Sequence, residues 1–227
     1  MTAAALSAAI VYTVFLNAKE RTNAMTGNLQ ETVRLPEPKH SGRVSVEEAL
    51  FKRRSVRDFR EGPISAAEVS QLLWAAQGIT GLRGFRTTPS AGALYPLELY
   101  VVAGNVDGLP SGVFKYVARS HELVCIVKGD RRSDLCDAAL GQPSIRRSAA
   151  VIVISGVYGR TTAKYGERGV RYVHMEAGHA AQNVWLQAVS LGLGTVVIGA
   201  FHDAEIKRML RMADGEEPLY IMPVGRS

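Results

Sequence analysis

The sequence predicts an α+β fold, and three observations lead there. Helix and strand signals are mixed without the regular βαβ rhythm of a doubly wound sheet. Two capping-box signatures, Ser45-Val46-Glu47-Glu48 and Ser65-Ala66-Ala67-Glu68, open helices in quick succession. The arms of a hairpin, Val113 to Val117 and Leu123 to Val127, follow around a polar turn at Ser120 and Glu122.

The chain opens with Ala3 to Leu16, an uninterrupted run of apolar and small residues. It is shorter than the roughly 20 residues of a usual membrane span. No Lys or Arg precedes it, as the n-region of a signal peptide would require. Residues 1–21 therefore read either as an apolar leader giving membrane association or as an N-terminal helix packed on protein. Lys19 and Arg21 follow the run, which keeps the bulk of the chain cytoplasmic. Residues 22–44 are polar, carry Pro36 and Pro38, and read as a linker.

The folded domain is expected over 45–227. Its first helix carries Val46, Ala49 and Leu50 on one face and delivers a basic run at its end. The second places Val69, Leu72, Leu73 and Ala76 at i, i+3, i+4, i+7 and ends at Gly78. A loop of small residues, Pro89-Ser90-Ala91-Gly92-Ala93, leads into strand-like Leu97 to Val102. Asp130 to Leu140 reads as a helix, and Ala149 to Ile154 as a buried strand because it is continuously apolar. Lys164 to Gly169 reads as a loop. The longest helix runs from about Arg171 to Leu191, with Gly192 as its C-cap. Thr195 to Ile198 and Leu219 to Val224 read as strands.

The totals exclude several classes. Of 227 residues, 47% are hydrophobic and 21% charged, a globular composition. Net charge is +6, without a basic arm or basic stretch interleaved with aromatics, so nucleic acid is not the expected partner. Cys125 and Cys136 form no metal-ligand spacing, and so few cysteines suit a reducing compartment. His174 and His179 are five apart on the long helix and point to different faces, so no metal is expected there. Neither a G-x-S-x-G elbow nor a phosphate-binding P-loop is present, and the glycines at 192, 194 and 199 lack dinucleotide-fingerprint spacing.

Lys52 to Arg60, KRRSVRDFR, packs five cations into nine residues against one acid. Clustered guanidinium groups suit a bidentate grip on phosphate or carboxylate, and Ser55 adds a hydroxyl. Cations also favour a helix C-terminus without any ligand. Small side chains at Pro89 to Ala93 let backbone N–H groups approach a flat or anionic ligand. Lys164 and Tyr165 are candidate proton-transfer groups beside such a site, and equally read as solvated loop residues.

In order and spacing, RRSVRDF (53–59), LLWAAQGIT (72–80), RTTPSAGALYPLELYVV (86–102), AALGQ (138–142), KYGERGVRYVHMEAGHAAQN (164–183), LGLG (191–194), IGAF (198–201) and PVGR (223–226) resemble the nitroreductase-like flavoproteins. Within that superfamily they resemble the SagB-type azoline dehydrogenases. The resemblance implies a central, mostly antiparallel sheet flanked by helices, in a homodimer that binds FMN at the subunit interface. Arg53, Arg54, Ser55 and Arg57 match the segment holding the FMN phosphate and ribityl chain. Pro89, Ser90, Ala91 and Gly92 match the loop bordering the flavin ring, usually from the other subunit. Ile198 and Gly199 match the strand passing the ring, Arg226 a basic residue near the phosphate, and Gln142 joins the same cofactor set. Lys164 and Tyr165 match the pair assigned proton transfer in azoline dehydrogenases. Ala93 stands where common nitroreductases have Asn, which removes one flavin contact. The implied activity is FMN-dependent dehydrogenation of a small heterocycle or peptide azoline. The alternatives are an NAD(P)H-dependent nitroreductase or quinone reductase, and a non-catalytic or flavin-fragmenting flavin-binding protein.

Overall fold

A computed structural model describes residues 31–81 and 83–227; the apolar run at 3–16 lies outside the described residues. Among the described residues, no helix is long and apolar enough to cross a membrane. The elements in order are β1 (Thr32–Arg34), α1 (Val46–Lys52), β2 (Ile64–Ser65), α2 (Ala66–Gln77), β3 (Leu97–Ala103), β4 (Val106–Asp107), β5 (Gly112–Val117), β6 (Glu122–Lys128), α3 (Arg132–Ala138), α4 (Pro143–Arg147), β7 (Ala150–Val157), α5 (Tyr158–Tyr165), α6 (Arg168–Ser190), β8 (Leu193–Thr195), α7 (Asp203–Leu210) and β9 (Glu216–Arg226). A short 3₁₀ turn, Ala91–Ala93, sits between α2 and β3.

Seven strands form one sheet in the order β1-β6-β5-β3-β7-β9-β8, every pair antiparallel. The α+β reading holds. β7 lies inside it, between β3 and β9, and its apolar residues are buried on both faces, which is why its sequence is continuous rather than alternating. One core cluster joins that sheet to α2 and α6, through Leu72, Leu73 and Ala76 from one helix and Val173, Ala177 and Val184 from the other. A second fills the opposite face beneath α3 and α7.

The helix starts follow the sequence. Ser65 is a complete capping box: its side chain accepts from the Glu68 amide, and Glu68 accepts from the Ser65 amide at 2.7 Å. Ser45 caps α1 in the same way, but Glu48 turns instead to Lys52 at 2.5 Å, so that box is half made. Three expectations shift. Thr32–Arg34, inside the stretch read as a linker, pairs with β6 as the edge strand, and Leu35 beside it is buried. Lys164 and Tyr165 end α5 rather than lying in a loop; only the left-handed Gly166 and Glu167 separate α5 from α6. On α1 only Ala49 of the apolar face is buried, while Val46 and Leu50 are exposed, as is Phe51 at 79%.

Candidate active site

The basic stretch leaves α1 in extended form and lies along the sheet edge. The Val56 amide donates to the Thr195 carbonyl at 3.0 Å, and the Arg60 amide to that of Arg226 at 3.0 Å. Two glycines make this approach possible. A Cβ at Gly194 would meet Val56 at 2.6 Å, and one at Gly225 would meet Phe59 at 2.7 Å. With Val56 turned onto Gly194, its neighbours Ser55 and Arg57 point away from the sheet and are exposed. Trp185 of α6 pins the stretch: its Nε1 donates to the carbonyls of Arg54 (3.2 Å) and Thr195 (3.1 Å), and the Arg53 guanidinium stacks 4.6 Å over its ring.

The predicted cations differ in their engagement. Arg54 turns Nη1 back onto the carbonyls of Phe51 and Arg53. Arg226 forms a bidentate pair with Glu68 at 2.6 and 3.0 Å and donates Nε to the Pro63 carbonyl. Burial raises the Glu68 acid, but the bonds from Arg226 and from Ser65 outweigh it and hold the carboxyl below its ordinary range. Among the described residues, neither Arg53 nor Arg57 forms an ion pair with a carboxylate.

A second group gathers at the loop before β3. Gly92 is left-handed (φ 64°), and a Cβ there would meet Tyr165 Oη at 2.8 Å and Lys164 Nζ at 3.1 Å. Two distant words of the sequence, PSAG and KY, thus converge on one point. Tyr165 is braced edge-on against Tyr172 at 5.3 Å, and Lys164 Nζ lies 5.4 Å over the Tyr165 ring. The loop is strained: Ala93 (φ 54°) and Tyr95 (φ 46°) are left-handed without being glycine. Ser90 Oγ accepts from the Tyr95 amide at 2.9 Å.

A third group lies beyond β8. Ile198 exchanges backbone bonds with Ile221, and Gln142 Nε2 donates to the Ala200 carbonyl at 3.0 Å, fixing the turn that follows Gly199. Gly199 lines a cleft of about 380 Å³ with Tyr158, His174, Phe201, Glu217 and Tyr220. Within it, Tyr158 Oη and His174 Nε2 share a 2.5 Å hydrogen bond. Burial, then Glu217 and Asp203, push the Tyr158 phenol up.

α6 is the common spine. Tyr172 touches Tyr165, Glu176 faces Ser90, Asn183 reaches Thr87 and Thr88, and Trp185 holds the basic stretch. From Tyr172 to Trp185 the helix rises about 20 Å, so one chain carries the Gly92 group and the basic stretch well apart. Glu176 is a residue the sequence reading did not single out. It is 3% exposed, and burial pushes its acid up to about 7 against the pull of Ser90, Arg86 and Gln77. A signal existed. Glu176 sits three residues after Val173 and four before Ala180, within the apolar stripe, where an acid has no reason to be for solubility.

Residues 50–226 match the family model described as "Nitroreductase family". The chain belongs to the nitroreductase family. Two similar proteins bear the words "putative nitroreductase" in their names. MJ1384 of Methanocaldococcus jannaschii is 50% identical over 183 residues, covering 81% of this chain and 91% of its own. A crystal structure from Ralstonia eutropha JMP134 superposes with a TM-score of 0.76 at 28% identity, covering 89% of this chain and 92% of its own. The microcin B17-processing protein McbC of Escherichia coli is 28% identical over 133 residues, 56% of this chain and 48% of its own.

Proposed function

We propose that this nitroreductase-family chain is an FMN-dependent oxidoreductase of SagB type, active as a homodimer, that dehydrogenates a small heterocycle or a peptide azoline. The observation that carries the reading is the convergence of Gly92, Lys164 and Tyr165, with Nζ and Oη both within about 3 Å of where a Cβ would stand. That approach, possible only because residue 92 is glycine, sets both proton-transfer groups against the loop expected to border a flat ligand, and the exposed Ser55 and Arg57, with the half-buried Arg53 beside them, suit a phosphate. The residues present therefore fit FMN.

When bound, the flavin supplies the two-electron acceptor for the substrate's hydride. The chain's own residues do the rest. Arg53 and Arg57 would hold the phosphate oxygens, with Ser55 donating its hydroxyl. Pro89 to Gly92, together with Ile198, Gly199 and Gln142, would hold the ring. Arg226 belongs to the phosphate end through the two guanidinium donors that Glu68 and Pro63 leave free. Lys164 or Tyr165 takes the proton that leaves the heterocycle carbon as the hydride departs.

The homodimer is supported by the roughly 20 Å of helix between the two groups and by the uncovered Val46, Leu50 and Phe51 on α1. A two-fold partner would bring its Gly92 loop to this chain's basic stretch. A second reading, an NAD(P)H-dependent nitroreductase or quinone reductase, is favoured by the 50% identity to MJ1384. Anaerobic reduction of the bound flavin separates the two. An azoline peptide should bleach it and NADPH should not, and Lys164→Ala should abolish bleaching while FMN stays bound. Bleaching by NADPH alone would give the case to the second reading.

A further inference from the structure

The Ser90–Tyr95 turn is held in a conformation its residues do not choose. Left-handed backbone is disfavoured for a non-glycine residue, and Ala93 and Tyr95 both adopt it. Something outside the turn must hold it. The contacts on it are Ser90 Oγ accepting from the Tyr95 amide, the Ala93 amide donating to the Ser90 carbonyl at 3.0 Å, Arg160 Nη1 donating to the Tyr95 carbonyl at 3.1 Å, Tyr95 Oη accepting from the Arg86 amide at 3.3 Å, and the Arg86 guanidinium 4.7 Å over the Tyr95 ring. Behind them lies one buried carboxyl, Glu176 of α6, which faces Ser90, Arg86 and Gln77. Arg86 Nη1 in turn donates to Gln77 Oε1 at 2.8 Å. The cluster is incompletely bonded: Glu176 Oε1 and Gln77 Nε2 are both buried without a partner of good geometry.

We infer that Glu176 is a positioning residue whose proton sets the shape of the Ser90–Tyr95 turn, and with it the presentation of Gly92 to Lys164 and Tyr165. The protonated acid is a hydrogen-bond donor and the carboxylate only an acceptor. Losing the proton therefore changes which of Ser90, Gln77 and Arg86 the carboxyl can satisfy. Ser90 passes that change to Tyr95, because its hydroxyl accepts from the Tyr95 amide. A purely structural filler at position 176 would need no ionisable group, since an apolar side chain or an amide avoids the cost of burying charge.

The charges around the carboxyl are few. Arg86 faces it from the segment after α2, and beyond Arg86 stand Glu98 of β3 and Arg160 of α5, themselves paired. His174 and His179 share α6 but are exposed. Burial pushes the acid up to about 7, so the turn is expected to respond near neutral pH. The device belongs to the chain itself and does not require the ligand to be a flavin.

The test is a pH titration of the full chain by NMR, without ligand. It follows the Glu176 side-chain carboxyl carbon, the backbone amides of Ala91, Gly92 and Ala93, and the imidazoles of His174 and His179 as separate reporters. The Gly92 and Ala93 amides should shift with the same midpoint as the Glu176 carboxyl. Glu176→Gln should abolish their transition while the histidine titrations persist. Ser90→Ala should leave the Glu176 titration in place and uncouple the loop from it, which decides the matter even if Glu176→Gln fails to fold. Loop amides that do not titrate, that follow a histidine midpoint, or that keep their transition in either variant overturn the inference.

Discussion

Replacing Gly92 with alanine strikes the point where the loop meets Lys164 and Tyr165. Two costs add. The left-handed backbone (φ 64°) penalises any L-residue by about 1 kcal/mol. The new Cβ would also lie 2.8 Å from Tyr165 Oη and 3.1 Å from Lys164 Nζ, inside the ~3.5 Å of ordinary contact. The lysine end can swing away. Tyr165 is braced against Tyr172, so its displacement adds roughly another 1 kcal/mol of lost packing. The sum of about 2 kcal/mol lowers Tm by roughly 4–8 °C for a chain of this size. Gly215→Ala is the control, because Gly215 is also left-handed (φ 76°) but has nothing within 4 Å. Thermal unfolding by circular dichroism should therefore show Gly92→Ala losing about twice the stability of Gly215→Ala. Equal losses would mean that Tyr165 and Lys164 do not crowd Gly92, and the assembly of that group would fall.

Other predictions follow the same contacts. Gly225→Ala drives a Cβ into Phe59 at 2.7 Å, and Gly194→Val should do the same to Val56. Each should lift the basic stretch from the sheet edge, quench-protecting Trp185 less in iodide titrations; unchanged Trp185 accessibility would refute the clamp. Glu176 carries a pH signature in stability. Its acid sits at about 7 in the fold against an ordinary 4.5. Between those values the folded chain keeps a proton that the unfolded chain has lost, so stability falls as pH rises, by about 3 kcal/mol in all. Urea unfolding should show Glu176→Gln gaining about 2–3 kcal/mol on the parent between pH 5 and pH 8; a constant difference would deny the raised acid. Glu68 works in the opposite sense. Its lowered acid stabilises above its unfolded value and the benefit is lost as pH falls, so Glu68→Gln should flatten the acid limb of the same experiment.

Local chemistry made much of the fold legible. Ser65 and Glu68 define a helix start whatever surrounds them, and the stripe of Val69, Leu72, Leu73 and Ala76 is buried as its spacing requires. The continuous apolar run of β7 reads correctly because both of its faces are covered. What the sequence hid depends on contacts between distant parts. Thr32–Arg34 is too short to show a period, and only its pairing with β6 makes it a strand. Lys164-Tyr165-Gly166 reads as a loop because glycine follows, yet the packing of α5 on α6 carries the helix through Tyr165. Val46 and Leu50 have the spacing of a buried face, and the chain by itself leaves them exposed. At the candidate site, the words that converge on Gly92 were legible one by one. Their meeting was not, and neither was the burial of Glu176, which depends on Ser90 and Arg86 folding over α6.

The FMN reading rests most on the basic stretch, whose Arg53, Ser55 and Arg57 are proposed to hold the phosphate, Ser55 and Arg57 exposed and Arg53 half-buried over Trp185. The measurement is a titration of the full-length protein with FMN, followed by flavin fluorescence and by the visible spectrum, alongside Arg57→Ala and Arg53→Ala. Saturable binding of one FMN per chain is expected, weakened about tenfold or more by either substitution, as loss of a charge-assisted phosphate contact requires. An FMN titration without saturable binding, or binding that neither substitution weakens, would rule that out.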